Sequence, residues 1–169
     1  MRAEDRVGGR GTTAPIIRRA TERDAAGLTG LALRSKAVWG YGAAFMAACR
    51  AELTITADGI AARPTWVLEE QGAILGFYQL RTAGDVAEVA QFFIAPRRLR
   101  GGLGRRLWAH LEAQAGAVGC EHLEVDSDPH AEGFYRAMGM IRCGNAPSGS
   151  IPGRTLPRLR KELSTSSAG

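Results

Sequence analysis

The segment from Phe92 to Trp108 constrains the fold more than any other part of the chain. An apolar strand pattern, Phe92 to Ala95, runs into Pro96 and a turn rich in arginine and glycine. Leucines at helical spacing then begin at Leu103. A glycine turn between a strand and a helix points several backbone N–H groups at one spot, beside the positive end of the helix dipole. The segment therefore predicts a binding site for a phosphate-rich ligand.

Length and composition favour one soluble globular domain. The chain has 169 residues, 45% of them hydrophobic and 23% charged, which is ordinary for such a domain. The N-terminal region has no apolar segment typical of a secretory signal, and no apolar run is long enough to span a bilayer. The three cysteines lack metal-ligand or CxxC spacing, which favours unpaired thiols in a reducing compartment, although a pair between Cys49 and Cys143 stays open. We therefore expect a cytoplasmic protein without membrane association.

The charge distribution favours a local anion site over a nucleic-acid track. The net charge is +5, and Lys36 and Lys161 are the only lysines, so arginine carries the positive charge. The densest arginine cluster, residues 97–106, surrounds the glycine turn, whereas the other arginines are scattered. Nucleic acid is therefore the less favoured partner, and only the pI of about 9.6 supports an RNA-linked function.

The patterns along the chain predict a mixed α/β sheet, antiparallel at first and parallel at the β-α-β unit around the glycine turn. We expect a disordered leader over residues 1–14, one domain over 15–163 and a flexible tail over 164–169. The element order is β-α-α-β-β-β-α-β-α-β-β. The predicted elements are strand 15–20, a helix to about residue 37, helix 43–53, loop 54–64, strands 65–70, 73–81 and 86–95, helix 102–117, strand 122–126, helix 129–138, and strands 140–143 and 155–162.

Three phosphate ligands compete for the glycine turn. A Walker loop needs a lysine followed by Ser or Thr, but Arg105 and Arg106 follow Gly104. A dinucleotide fingerprint needs a third glycine, where Leu107 stands, and a first strand that opens the chain. The pyrophosphate arm of coenzyme A remains, with a ligand-free tight turn as the structural alternative.

Two motifs and the opening segment resemble the GNAT family of N-acetyltransferases. Pro96-x-x-Leu99-x-x-Gly102-x-Gly104 is similar to the family's acyl-CoA motif, with Leu99 where Gln or Arg is usual. The segment from Asp128 to Met140 resembles the Asn-x-x-Ala-x-x-x-Tyr-x-x-x-Gly-Phe element, with Asp for Asn and Met for Phe. Residues 17–24 are also typical of the family. The resemblance covers the chain from Pro15 to its C-terminus and implies a GNAT-like acyl-CoA N-acyltransferase fold.

This resemblance implies acetyl-CoA as co-substrate. The turn and first helical residues would bind the diphosphate, and strand backbone groups would pair with the pantetheine arm. The candidate coenzyme-binding residues are Phe93, Ile94, Leu99, Arg100, Gly101, Gly102, Leu103, Gly104, Arg105 and Asp128. Capping of the helix that begins near Pro129 is the simpler role for Asp128.

The resemblance also implies two catalytic residues. Tyr135 would be the general acid for the CoA thiolate, since a phenol can donate a proton to a thiolate of similar basicity. Packing in the core is its structural alternative. Glu88 stands in an apolar strand whose alternation places it on one face with Ala90, Phe92 and Ile94. That position would supply the general base, directly or through water, unless the glutamate forms an ion pair with an arginine.

The acceptor site is less specified. Trp39 and Tyr41 lie in a glycine-bounded loop that suits the wall of an amine pocket, where an aromatic face can hold a cation, or a structural anchor. The turn-rich loop 147–154 suits the rim of the same pocket. The histidines have no ligand spacing, so we expect no metal.

We therefore expect an acetyl-CoA-dependent N-acetyltransferase that acts by direct transfer to a primary amine of a small molecule or peptide. A CoA-binding regulatory or interaction module without turnover is the alternative, motivated by the departures at Leu99, Asp128 and Met140. A homodimer formed through sheet edges is plausible for such a fold.

Overall fold

The computed structural model of the protein describes residues 13–164. The predicted leader and tail therefore lie almost wholly outside the described residues. Twelve α-helices and β-strands are present there in the order β-α-α-α-β-β-β-α-β-α-β-β. They are β1 Ile16–Arg19, α1 Ala25–Ala37, α2 Ala43–Leu53, α3 Ala57–Ala62, β2 Thr65–Glu70, β3 Ala73–Ala83, β4 Val86–Ile94, α4 Leu103–Ala117, β5 His122–Asp126, α5 Glu132–Ala137, β6 Ile141–Pro147 and β7 Thr155–Glu162.

The strands form one sheet with the order β1-β2-β3-β4-β5-β7-β6. Only β4 and β5 are parallel among the paired strands of residues 13–164, and they are the two strands joined through α4. The predicted mixed α/β fold, with its parallel unit around the glycine turn, is confirmed. No helix within residues 13–164 is both long and apolar enough to cross a bilayer.

A hydrophobic cluster covers each face of the sheet. Leu107 and Leu111 of α4 are fully buried on one face, together with Tyr78 and Leu123 of the strands. Leu28 and Leu31 of α1 are fully buried on the other face, where α2 and α3 also pack. The helical spacing of the leucines therefore identifies the buried side of both α1 and α4.

Helix α3 was not predicted, because the segment 54–64 was expected to be a loop. Thr56 caps this helix by accepting a hydrogen bond from the Gly59 N–H at 3.0 Å. Six residues are too few to show a helical apolar period, and Ile60 is its only buried side chain. The signal that was present is the threonine cap followed by Asp58 in the first turn.

The predicted alternation of β4 is wrong because the strand contains a β-bulge. Gln79 of β3 faces Gln91, but the next residue, Leu80, faces Val89, so Ala90 is an extra residue without a partner on β3. Val89 and Phe92 consequently lie on the α4 face. Glu88 shares the opposite face with Gln91, not the face of Phe92.

Beyond the bulge, β4 separates from β5. Their parallel pairing covers only three positions and ends at Glu88 and Glu124. The edge of β4 from Val89 to Ile94 therefore has no strand partner on the β5 side, within residues 13–164. This gap between two strands opens on both faces of the sheet and positions the candidate site.

Candidate active site

The glycine turn takes the geometry that an anion site requires. Gly102 adopts a left-handed conformation, with φ of 77°, and precedes the first residue of α4. The first hydrogen bond of the helix is donated by the Arg106 N–H to the Gly102 carbonyl. The N–H groups from Gly102 to Arg105 are therefore left for a ligand at the positive end of a 15-residue helix.

Close packing explains the second glycine of the turn. A Cβ on Gly104 would lie 3.2 Å from the Phe134 ring. That ring stacks on Phe92, with centroids 5.3 Å apart. Gly104 thus lets the start of α4 approach α5 and the separated part of β4.

A groove of about 680 Å³ begins at this turn and follows β4, and we name it the glycine-turn groove. Eight of the predicted coenzyme-binding and catalytic residues line it: Phe93, Ile94, Leu99, Arg100, Gly102, Gly104, Arg105 and Tyr135. Two predicted neighbours do not. Leu103 is buried in the core beneath the turn, and Gly101 is exposed outside the groove.

A residue that sequence reasoning missed supports the groove from α1. The Ser35 hydroxyl donates a hydrogen bond of 2.7 Å to the Ile94 carbonyl at the end of β4. Ser35 also lines the groove. The bond ties the free edge of β4 to α1 and thereby fixes the groove wall.

A second space of about 510 Å³ lies between the end of α2 and the separated part of β4, and we name it the α2-side cavity. Its lining includes Glu88 on β4 and Asp128 after β5. Pro147, the last residue of β6, and Gly149 in the loop that follows also line it, so the segment predicted as a rim borders the cavity.

The groove and the cavity meet at three residues. Phe92, Phe93 and Tyr135 line both spaces. Each of these residues lies at the gap between β4 and the chain that follows β5. A ligand in the groove and a ligand in the cavity can therefore approach each other at this point.

Tyr135 is placed at the junction by aromatic packing. Its side chain is 6% exposed and packs against Phe92, Trp108 and Phe134. Its hydroxyl has no hydrogen-bond partner among residues 13–164. Burial, and secondarily the negative charge of Asp128, raise the pKa of Tyr135 well above its ordinary value. The phenol is therefore a neutral proton donor at physiological pH.

Glu88 forms the ion pair that was its structural alternative. Arg81, its cross-strand partner, donates hydrogen bonds of 2.9 and 3.2 Å to the carboxylate. Both side chains remain partly exposed. Glu88 nevertheless lines the α2-side cavity, which brings it into the same space as Tyr135.

Asp128 is the centre of a hydrogen-bonded cluster. It caps the turn that leads into α5 by accepting from the His130 N–H at 2.9 Å, and it also accepts from the Tyr41 hydroxyl at 2.9 Å. Lys36 lies 3.2 Å away and Arg154 3.5 Å away. Burial opposes ionisation of Asp128, but the His130 N–H, the Lys36 charge and the Tyr41 hydroxyl outweigh it and lower the pKa to about 2.

The two predicted acceptor residues are not brought together in the cavity. Trp39 lines the glycine-turn groove, where its ring stacks on His130 at 5.2 Å. Tyr41 stacks on Phe45 at 4.0 Å and bonds Asp128. Its own pKa rises to about 12 through burial and the Asp128 bond. Neither ring lines the α2-side cavity within the described residues.

Three carboxylate and imidazole groups elsewhere could hold a metal ion. Ligand atoms of Asp85, Glu121 and His122 lie within 4.8 Å of one another where the β3–β4 turn meets β5. None of the three lines the groove or the cavity. Cys49 and Cys120 are buried and Cys143 is exposed, and all three are free thiols.

Solved structures similar to this one share its fold. A GCN5-related N-acetyltransferase from Rhodopseudomonas palustris superimposes with a TM-score of 0.72 at 23% identity, covering 90% of this chain and 98% of that chain. The PaiA N-acetyltransferase from Thermoplasma acidophilum, solved in complex with coenzyme A, gives 0.72 at 15% identity over 89% and 99%. YncA from Salmonella typhimurium, solved with acetyl-CoA, gives 0.63 at 20% identity over 93% and 98%.

The sequence comparisons identify the family. A comparison with curated protein sequences finds no significant match. The sequence model of the Acetyltransferase (GNAT) family matches residues 26–140, which include the glycine turn, both strands of the gap and Tyr135. The chain belongs to the GNAT acetyltransferase family.

Proposed function

We propose that the protein transfers the acetyl group of acetyl-CoA to a primary amine of a small molecule or peptide by direct attack. The observation that carries the proposal is the meeting of the glycine-turn groove and the α2-side cavity at Phe92, Phe93 and Tyr135. The groove would hold the acyl donor, and the cavity would hold the amine. GNAT membership supports acetyl transfer as the reaction class.

The groove suits the donor along its whole length. Free N–H groups from Gly102 to Arg105 would bind the pyrophosphate, and the exposed Arg100 and Arg105 side chains would add positive charge. The unpaired edge of β4 from Phe92 to Ile94 would pair with the amides of the pantetheine arm, as an added strand does. This order would place the thioester near Tyr135.

The reaction also moves protons. A neutral amine attacks the thioester carbonyl carbon, a C–N bond forms, and the C–S bond breaks. Tyr135 would donate its proton to the departing thiolate, and its raised pKa keeps that proton available. The acylated nitrogen would lose its extra proton as it becomes the amide, and that proton would return to the Tyr135 oxygen. A backbone N–H of β4 would stabilise the oxyanion.

The proton of the incoming ammonium would leave through the cavity. Glu88 faces Arg81 and Phe92 faces Tyr78, so they lie three strand positions apart on β3, about 10 Å at about 3.3 Å per residue. That distance favours transfer to Glu88 through water over direct contact. The hydrogen bond from Arg81 at 2.9 Å would hold the carboxylate in position as the proton acceptor.

A thiol-release assay with acetyl-CoA and a panel of amines tests this proposal. We expect turnover with at least one amine, and Tyr135→Phe to lower kcat by about ten- to a hundredfold. Tyr78→Phe is the matched control, because Tyr78 is also buried but bonds His110 and lines neither space. It should leave kcat unchanged.

Two results would contradict the proposal. Unchanged kcat in Tyr135→Phe would remove this residue from the chemistry. Acetyl-CoA binding without thiol release on any amine would favour the CoA-binding module without turnover. Cytoplasmic location and a homodimer remain predictions.

A further inference from the structure

Most charged groups that line the α2-side cavity neutralise one another. Lys36 lies 3.2 Å from Asp128, and Arg81 lies 2.9 Å from Glu88. Asp126 is paired with Arg158 at 2.7 Å. Two lining residues, Glu52 and Arg63, have no partner of opposite charge among residues 13–164. The cavity therefore offers one free negative group and one free positive group.

Glu52 lies at the end of the cavity that faces the groove. Its backbone carbonyl accepts a hydrogen bond of 2.8 Å from the Gln91 side chain, and Gln91 directly precedes Phe92. Its carboxylate accepts from the Ser150 hydroxyl at 2.5 Å. The absence of a side chain at Gly149 leaves room for that carboxylate, since a Cβ there would collide with it.

Arg63 borders the cavity on the β3 side. It follows α3, and its backbone N–H donates to the Gly59 carbonyl at 3.1 Å. The same carbonyl accepts a bond of 3.4 Å from the Gln79 side chain of β3, and Gln79 faces Gln91 of β4. Arg63 therefore lies on the β3 side of β4, whereas the Glu52 carboxylate faces Ser150 in the loop after β6.

We propose that the acceptor is a small amine that carries a carboxylate several bonds away from its nitrogen. Arg63 binds the carboxylate, and Glu52 attracts the ammonium toward the junction before it loses its proton. A space of about 510 Å³ suits a small molecule or a short peptide. This inference rests on the proposed acetyl transfer and names the class of substrate for the same cavity.

Matched acceptors that differ in the carboxylate test the inference. We expect 6-aminohexanoate to have a KM about tenfold lower than that of hexylamine, with a similar kcat. Arg63→Gln should raise the KM for 6-aminohexanoate about tenfold and leave that for hexylamine unchanged. Glu52→Gln should raise the KM for both amines.

Arg50→Gln is the matched control, because Arg50 is exposed on α2 and does not line the cavity. It should change neither KM. A further comparison uses triglycine with a free or an amidated C-terminus as the acceptor. It distinguishes a short peptide from a free small amine as the source of the carboxylate.

The outcomes separate this inference from the function on which it rests. Equal KM values for 6-aminohexanoate and hexylamine, or an Arg63→Gln effect of the same size on both, would overturn the acceptor class while leaving acetyl transfer intact. If the protein acetylated α-amino acids alone, the proposed separation between the amine and the carboxylate of the acceptor would be wrong. Absence of thiol release with every amine would contradict the proposed function itself.

Discussion

Replacement of Asp128 by asparagine removes one charge and little else. Asparagine can still accept the His130 N–H that Asp128 caps, because its side-chain oxygen occupies the same place. It cannot attract Lys36 and Arg154, which lie 3.2 and 3.5 Å from the native carboxylate. The substitution therefore isolates the ionic part of the cluster.

The lowered pKa gives the size of the effect. A fall from 3.8 to about 2 corresponds to about 2 kcal/mol of stabilisation by the ionised form. Because the folded-state pKa is depressed, this stabilisation is complete above the unfolded pKa and is lost as the pH falls toward 2. We expect Asp128→Asn to lower the free energy of unfolding by about 2 kcal/mol at pH 7, or Tm by about 4–8 °C.

Urea unfolding of the two proteins at several pH values measures this difference. The difference in unfolding free energy should not narrow between pH 7 and pH 5. Asp126→Asn is the matched control, since its pair with Arg158 is more exposed and should contribute less than about 1 kcal/mol. A difference in unfolding free energy below about 0.5 kcal/mol, or one that disappears already at pH 5, would refute the reasoning.

Two further expectations concern the groove. Gly104→Val places atoms against Phe134 and should weaken acetyl-CoA binding, measured by calorimetry, at least about tenfold. Gly116→Ala on the same helix meets no neighbour, so it should leave binding unchanged and raise stability by up to about 1 kcal/mol. Equal affinities of the two variants for acetyl-CoA would contradict the packing argument. Because the Tyr135 pKa is raised, kcat should not fall through loss of the Tyr135 proton up to about pH 10. A fall of kcat near pH 8 that Tyr135→Phe abolishes would contradict the role of Tyr135 as the general acid.

Local sequence patterns were sufficient to predict the mixed α/β fold and the glycine turn at which the groove begins. The turn at Gly102 requires a left-handed residue, and the leucines of α4 repeat at helical spacing, so both could be recognised without tertiary information. The cap at Asp128 was also predictable, because an acidic residue before Pro129 is a common helix start.

The bulge at Ala90 was not predictable from the β4 sequence. Strand alternation assumes that every residue has a partner, and only the register against β3 shows that Ala90 has none. That one extra residue reverses the face of Glu88 relative to Phe92. The error therefore changed which residues could share a pocket.

The α2-side cavity depends on contacts between distant segments. Gln91 reaches Glu52 across 39 positions, and Lys36 reaches Asp128 across 92. Trp39 and Tyr41 were the residues predicted for the wall of the amine pocket, and neither lines this cavity among the described residues. Aromatic character alone could not tell a cavity wall from a groove rim.

A crystal structure with acetyl-CoA bound tests the central claim most directly. We expect the pyrophosphate oxygens within about 3 Å of the N–H groups between Gly102 and Arg105. The thioester should lie beside the Tyr135 hydroxyl, with its carbonyl carbon open to the α2-side cavity. A coenzyme bound away from the glycine turn, or a thioester closed off from that cavity, would contradict the account.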